Sequence, residues 1–282
     1  MTPAQAVLAI TINIDPDLAT FGPFVISWHG LFTAIGIAVG VWLAITLGRR
    51  SGFSEDDAYG MALAAIPAGV VGARALYVLE HWREMDGLAE ILAVNEGGIS
   101  VWGAVIGAVL GAWLYALVRG LPKGLAADAA APGALLAQGV GRIGDLINGE
   151  HLATASNLPW AVRYVHPNTL GELGVSVHPT VGGYEMLLDI LVAAGLVLMR
   201  RWVTVGKGYV FWTYLTAYAL IRFGLSELRI DEARVGDFSV PQAIALGVLA
   251  VSAVGFLVAY VSKPAAGTGA GGGQAARLRV RR

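Results

Sequence analysis

The chain has 282 residues, of which 56% are hydrophobic and only 14% are charged, with a mean hydropathy of +0.65. A soluble domain carries about 25% charged residues, so this composition favours a membrane protein. The net charge of −1 says nothing about partners. The absence of cysteine excludes disulfides, thiolate metal sites and a cysteine nucleophile of the chain's own.

The N-terminal twenty residues carry Asp15 and Asp17 in place of a basic region, and no small-residue cleavage site follows. We therefore expect the first membrane segment to remain in the mature protein. Seven apolar windows are long enough to cross a bilayer. They predict an all-α polytopic bundle of about seven transmembrane helices, at 23–48, 58–80, 99–119, 125–147, 184–200, 206–226 and 240–262.

Basic residues on alternate connections set the expected orientation. Of the 19 Lys and Arg residues, most lie on one side, at Arg49, Arg50, Arg119, Lys123, Arg200, Arg201, Lys207, Lys263, Arg277, Arg279, Arg281 and Arg282. This predicts an outer N-terminus and a cytoplasmic C-terminus. We expect 1–263 to form the transmembrane domain and 264–282 to be a disordered basic tail.

Three arginines, Arg74, Arg142 and Arg222, fall inside or at the edge of predicted spans. Arginine at membrane depth is costly and usually faces a bundle interior or a watery cavity. The guanidinium fork suits a phosphate. The alternative is internal ion pairing, of Arg142 with Asp145 or of Arg222 with Glu185 or Glu227.

The stretch GRIGDLINGEH, 141–151, closes the fourth predicted span. On a helix, Arg142, Asp145 and Gly149 share one face, and Asn148 lies close to it. Gly149 is expected to end the helix, leaving Glu150 at the start of the outer loop. The spacing indicates a polar site at the outer membrane interface.

This stretch resembles the signature of the prolipoprotein diacylglyceryl transferase family, approximately G-R-x-G-N-F-x-N-x-E. Five further blocks resemble family motifs in the same order, namely SWHGLFTAIGI (27–37), GARALYVL (72–79), GGISVWGAVIG (97–107), HPTVGGYE (178–185) and YALIRFGLSELR (218–229). The resemblance implies a seven-span bacterial inner-membrane enzyme. It would transfer the diacylglyceryl group of phosphatidylglycerol to the lipobox cysteine of exported prolipoproteins, releasing glycerol phosphate.

The partners implied are therefore phosphatidylglycerol, the prolipoprotein signal peptide and membrane lipids, with no nucleic acid, cofactor or metal. The residues suit this chemistry, since arginines can stabilise a departing phosphate and a base can form the thiolate. We expect Arg142 and Arg222 to hold the phosphate and His29 to be the base. Substrate binding is assigned to Arg142, Asp145, Asn148, Gly149, Glu150, Tyr184 and Glu185, and a structural ion-pair role to Arg74.

The chain departs from the family pattern at several positions. Asp145 stands where the family usually has Asn, Trp102 where many members have His, and His29 where Tyr is common. HPTVGGYE carries one residue more than H-P-x-Q-x-Y-E. These departures leave open a non-catalytic paralogue that binds anionic phospholipid. A seven-span transporter is a third hypothesis, which the lack of an inverted repeat disfavours.

Overall fold

The structure, a computed structural model, describes residues 9–22, 24–85, 87, 90–91, 98, 100–150, 152–230 and 232–261. That part of the chain is mostly helical, and each predicted span contains one long helix. The helices are α1 (Trp28–Arg50), α2 (Glu55–Glu80), α3 (Val101–Val118), α4 (Lys123–Asn148), α5 (Thr180–Met199), α6 (Tyr209–Leu225) and α7 (Val240–Val261).

The first helix begins five residues later than predicted, because the chain enters it from a strand. Phe24–Ser27 is extended, and the Ser27 hydroxyl accepts a hydrogen bond from the Gly30 amide at 3.0 Å. A serine in extended backbone before a helix satisfies one of the orphan amides of its first turn. Apolar composition alone does not separate such a strand from the helix that follows it.

The expectation of an all-α fold was too narrow, because small sheets, three among the described residues, form in the connections. Their strands are β1 (Ile10–Ile12), β2 (Asp17–Phe21), β3 (Phe24–Ser27), β4 (Val162–Tyr164), β5 (Ser176–Val177), β6 (Arg234–Val235) and β7 (Phe238–Ser239). Strand β4 lies between β1, which is parallel to it, and β5, which is antiparallel. The other two sheets are the hairpins β2–β3 and β6–β7.

Within the described residues, four helices are long and apolar enough to cross a membrane by length and composition, namely α1, α2, α5 and α7. Helix α4 is as long as α2, and its charged residues are Lys123, Asp128, Arg142 and Asp145. Crossing by all seven helices and the orientation of the termini stay predictions. The predicted tail, 264–282, lies outside the described residues.

Helix α4 is the central element, since it packs against α1, α5 and α6. Its Pro132 is fully buried, and the helix continues through it, as α2 does through Pro67. Small residues bring α1 and α4 close together. A Cβ on Gly40 would lie 2.5 Å from the Gly133 carbonyl oxygen, so the two backbones are in direct contact.

The sheet β1–β4–β5 lies over the end of α4 that carries the GRIGDLINGEH stretch. Tyr164 of β4 donates its hydroxyl to the Leu146 carbonyl of α4 at 2.9 Å. Burial raises the pKa of the Tyr164 hydroxyl above its ordinary value, which keeps this donor protonated. The sheet is therefore fixed to the helix end that carries the predicted site.

At the opposite end of α4, Asp128 caps the start of α6. Its carboxylate is fully buried and accepts hydrogen bonds from the amides of Gly206 at 2.8 Å, Gly208 at 3.0 Å and Phe211 at 3.0 Å. A carboxylate at a helix N-terminus satisfies unpaired amides and complements the helix dipole. Asp128 therefore fixes α6 against α4.

We expect Asp128→Ala to lower the free energy of unfolding by about 3 kcal/mol, because three amides lose a charged acceptor. Thermal unfolding in detergent would measure the change. Asp56→Ala, at an exposed position in the first turn of α2, is the matched control. Equal losses in the two variants would contradict the capping role.

Candidate functional site

Arg142, near the end of α4, is held between two buried carboxylates. Its Nη1 donates to Asp145 Oδ2 at 2.7 Å, and its Nη2 donates to Glu185 Oε1 at 2.8 Å. Asp145 is 2% exposed and Glu185 is fully buried. The internal pairing with Asp145 that the sequence offered as an alternative is present, and a second acid from α5 joins it.

His29, in the first turn of α1, shares the carboxylate of Asp145 with Arg142. The His29 Nδ1 lies 2.6 Å from Asp145 Oδ1 and 3.5 Å from Glu150 Oε1. The approach depends on Gly144, since a Cβ there would lie 2.5 Å from the His29 Cα. Asp145 therefore holds an imidazole with one oxygen and a guanidinium with the other. An Asn side chain could not do the same, because it is uncharged and has only one acceptor oxygen.

The end of α4 places the other predicted substrate-binding residues beside this cluster. Gly149 closes the helix in the left-handed conformation, with φ of 75°, as predicted. Asn148 Nδ2 donates to Glu150 Oε1 at 3.0 Å. Asn148 is buried, and its Oδ1 has no hydrogen-bond partner among the described residues. His151 lies outside the described residues.

The segment HPTVGGYE enters α5 through a π-helical turn, Thr180–Glu185. Such turns occur often at functional sites. Gly182 packs on α4 here, since a Cβ would lie 2.1 Å from the Leu146 Cβ. Glu185 at the end of the turn still reaches Arg142.

Tyr184 and Glu185, although adjacent, serve different parts of the structure. The Tyr184 hydroxyl accepts a hydrogen bond from Trp160 Nε1 at 2.9 Å and lies 3.2 Å from His178 Nδ1. It therefore joins the outer connection to α5. In the part of the chain that the structure describes, Glu185 is the one of the two that hydrogen-bonds to Arg142.

Arg222, in the last turn of α6, pairs with a residue that the sequence did not suggest. Its Nη2 donates to Glu232 Oε1 at 2.6 Å, and Arg229 Nε lies 3.0 Å from the same oxygen. Glu227, proposed as a partner, instead accepts a hydrogen bond from Gln242 of α7. Glu232 lies ten residues beyond Arg222, outside any helical spacing that would reveal the pair.

Two residues beside the Arg142 cluster, Tyr218 and Asp189, were not predicted from the sequence as site residues. Tyr218 of α6 donates its hydroxyl to Glu185 Oε1 at 3.3 Å and lies one helical turn before Arg222. Asp189 of α5 is fully buried one turn after Glu185, and neither of its oxygens has a hydrogen-bond partner among the described residues. Tyr218 stands in the quoted YALIRFGLSELR block, which is the only sequence signal for it.

Arg74 is separate from these clusters. Its Nε donates to the Ile91 carbonyl at 3.0 Å and its Nη1 to the Gly98 carbonyl at 2.7 Å, and Nη2 donates to the Glu90 carbonyl. These contacts tie α2 to the connection that follows it, and they support a structural role. The side chain of Trp102 lies outside what the structure describes.

One group of side chains has the composition of a metal site. The ligand atoms of His29, Asp145 and Glu150 lie within 4.8 Å of one another. The spacing of residues around Glu150 in the sequence does not reveal this group, because His29 comes from α1, far away in the chain. Arg142 contacts the same Asp145, and its positive charge disfavours a cation there. The expectation that no metal takes part stays a prediction.

Comparison with known proteins gives the relationship of the whole chain. The sequence profile of the prolipoprotein diacylglyceryl transferase family matches residues 16–258. The chain belongs to this family. It is 33% identical over 237 residues to the phosphatidylglycerol–prolipoprotein diacylglyceryl transferase of Clostridioides difficile strain 630, which covers 84% of this chain and 90% of that protein.

Two other relatives carry the same name. The enzyme of Mycobacterium leprae strain Br4923 is 33% identical over 231 residues, covering 75% of this chain and 70% of that protein. That of Limosilactobacillus reuteri strain DSM 20016 is 32% identical over 254 residues, covering 88% of this chain and 92% of that protein. The family resemblance drawn from the six sequence blocks is confirmed.

The buried pair of Arg142 and Glu185 gives a stability prediction. Glu185→Ala should lower the free energy of unfolding by about 3 kcal/mol, because it removes one partner of a buried ion pair. Thermal unfolding in detergent would measure the change. Glu172→Ala, at an exposed position of the outer connection, should leave stability nearly unchanged. A Glu185 variant as stable as this control would show that Asp145 alone satisfies Arg142.

Proposed function

We propose that this chain transfers the diacylglyceryl group of phosphatidylglycerol to prolipoproteins, the activity that its relatives' names state. The family relationship over most of the chain supports this function. We further propose that the acceptor is the lipobox cysteine of an exported prolipoprotein. The enzyme would lie in the bacterial inner membrane, with seven crossings and the site at the outer face.

The observation that carries the site assignment is a set of buried polar atoms without partners. Among the described residues, Arg142 Nε and Arg222 Nη1 are buried donors with no acceptor. Asn148 Oδ1 and Glu185 Oε2 are buried acceptors with no donor. Buried polar groups are normally hydrogen-bonded, so such a set favours a polar ligand. Two donors suit phosphate oxygens, and two acceptors suit the hydroxyls of glycerol.

We assign the phosphate to Arg142 and Arg222. Two other residues, Tyr218 and Glu185, connect these arginines. Tyr218 lies one turn from Arg222 on α6 and contacts Glu185, which in turn holds Arg142. Asn148, Gly149 and Glu150 would contact the glycerol headgroup from the end of α4. Tyr184 would contribute through the outer connection, to which its hydroxyl is bonded.

We assign the base to His29. The Asp145 carboxylate at 2.6 Å favours the tautomer with the proton on Nδ1, which leaves Nε2 as an acceptor. Nε2 would take the thiol proton of the cysteine. The thiolate then attacks the glycerol carbon that carries the phosphate, forming the C–S bond. The C–O bond breaks, and its electron pair leaves with glycerol phosphate, whose developing charge the arginines stabilise.

The first test is release of glycerol phosphate from phosphatidylglycerol in the presence of a lipobox peptide. We expect peptide-dependent release by the wild type, and a loss of about 10²-fold or more in Arg142→Ala, since one electrostatic donor is worth that order. Arg201→Ala, an exposed arginine at the other end of α5, is the matched control.

Two results of this test would contradict the proposal. Bound phosphatidylglycerol without release by folded wild type would favour the non-catalytic, lipid-binding paralogue. The pairing of Arg142 with two carboxylates is the observation consistent with that alternative. Full activity of Arg142→Ala would remove Arg142 from the phosphate site.

The assignment of the base gives a separate prediction. His29→Gln should lower kcat by roughly 10²–10⁴-fold, the usual contribution of a general base. The KM for phosphatidylglycerol should change little, because His29 is not placed at the phosphate. His81→Gln is the control, since His81 bonds only its own helix through the Tyr77 carbonyl in the contacts described. Equal kcat values for the two variants would rule out His29 as the base.

A further inference from the structure

Asp189, in the middle of α5, is a buried carboxylate that the proposed reaction does not use. It is fully buried, and neither of its oxygens has a hydrogen-bond partner among the described residues. A carboxylate left alone in an apolar interior is strongly disfavoured, because it loses its hydration and gains nothing in return. Acids inside membrane helices therefore pair with another group or lie where an ion binds.

Asp189 belongs to a second polar layer, one helical turn away from the Arg142 cluster. Each of α4, α5 and α6 contributes a residue four positions from a member of that cluster, on the side away from the GRIGDLINGEH end, namely Gln138, Asp189 and Tyr214. Gln138 Nε2 donates to the Tyr214 hydroxyl at 3.1 Å. Helices α4 and α5 are in close contact here, since a Cβ on Gly139 would lie 3.2 Å from the Asp189 Cβ. Asp189 is also within electrostatic reach of the Tyr214 hydroxyl, so the layer is continuous across three helices.

The atoms of this layer that lack partners are all oxygens. Besides the two oxygens of Asp189, Gln138 Oε1 is buried and accepts no hydrogen bond from the part of the chain that the structure describes. The other end of the Gln138 amide is occupied by Tyr214. Carboxylate and amide oxygens are the ligands that hard cations prefer. The layer therefore has the donor atoms of a cation site.

The charges around Asp189 leave its own negative charge unmatched. Among the described residues, the charged groups that act on it electrostatically are Glu185 and Arg142, which have opposite signs. Arg142 donates to Asp145 and Glu185 through its two terminal nitrogens. Asp189 and Glu185 also repel each other, as like charges four residues apart on a helix do. One positive charge beside Asp189 would relieve both the lack of a partner and this repulsion.

We propose that Asp189 and Gln138 bind one monovalent cation of the size of Na⁺ between α4 and α5. Asp189 Oδ1 and Oδ2 and Gln138 Oε1 supply three oxygen ligands, and water completes the coordination. Tyr214 holds the Gln138 amide in the orientation that this requires. A single unmatched carboxylate selects a monovalent over a divalent ion. The ion joins two helices one turn from the pair of Arg142 and Glu185, takes no part in the transfer reaction, and does not depend on the proposed function.

The test is thermal unfolding of the whole chain in detergent while NaCl replaces choline chloride at constant ionic strength. The wild-type midpoint should rise saturably, by about 4 °C when Na⁺ reaches roughly ten times its dissociation constant. Asp189→Asn keeps the shape of the side chain and removes its charge, so its midpoint should not respond to Na⁺. In choline chloride, Asp189→Asn should be at least as stable as wild type, because an unmatched buried charge has been removed. The exposed control Glu172→Gln should respond as wild type does.

Two results would overturn the proposal. A wild-type midpoint that is independent of Na⁺ would mean that Asp189 is satisfied by a proton or by a reoriented Gln138 amide. An equal response to Na⁺ in wild type and Asp189→Asn would mean that the ion binds elsewhere.

A second variant keeps the proposal testable if Asp189→Asn does not fold. Gln138→Met has a similar length and no amide oxygen, and it should weaken the apparent Na⁺ affinity by roughly tenfold, the effect of losing one ligand. An affinity equal to that of wild type would remove Gln138 from the site and overturn the proposal. None of these measurements needs diacylglyceryl transfer, so they stand or fall separately from the proposed function.

Discussion

The structure depends on the burial of one guanidinium in an apolar helix bundle. Arg142 cannot lie there without partners, because an unpaired buried charge costs several kcal/mol, roughly 3–5 when one member of a pair is lost. Asp145 and Glu185 neutralise it from α4 and α5. Asp145 then reaches His29 with its other oxygen, which fixes the start of α1. The positions of three helices at the site therefore follow from the pairing of a single arginine.

Close backbone contact makes this pairing possible. Gly144 lets the first turn of α1 lie against α4, and Gly182 lets the π-helical turn of α5 do the same. This π-helical turn, at the entrance of α5, ends at Glu185, which accepts a hydrogen bond from Arg142 Nη2 at 2.8 Å.

The two arginine groups differ in the carboxylates that contact them. Among the described residues, Asp145 and Glu185 contact Arg142, and Asp145 also contacts His29. In the other group, Glu232 contacts both Arg222 and Arg229. In the proposed function, Arg142 and Arg222 hold the phosphate together, while Asp145 orients His29. Tyr218 connects the two groups, because its hydroxyl donates to Glu185 and it lies one helical turn before Arg222.

Sequence alone determined the membrane class, the seven helices, the helix end at Gly149 and the family, because apolar length, local conformation and short motifs are properties of neighbouring residues. It also indicated Arg142 and Asp145 as a pair, since they lie one turn apart. Only the tertiary structure decided that His29 shares Asp145 and that Glu232 is the partner of Arg222. His29 and Asp145 lie far apart in the chain. Arg222 and Glu232 are ten residues apart, a separation that does not place two residues on one face of a helix. Partners of a buried charge are chosen by packing in three dimensions, and spacing along the sequence does not encode that choice.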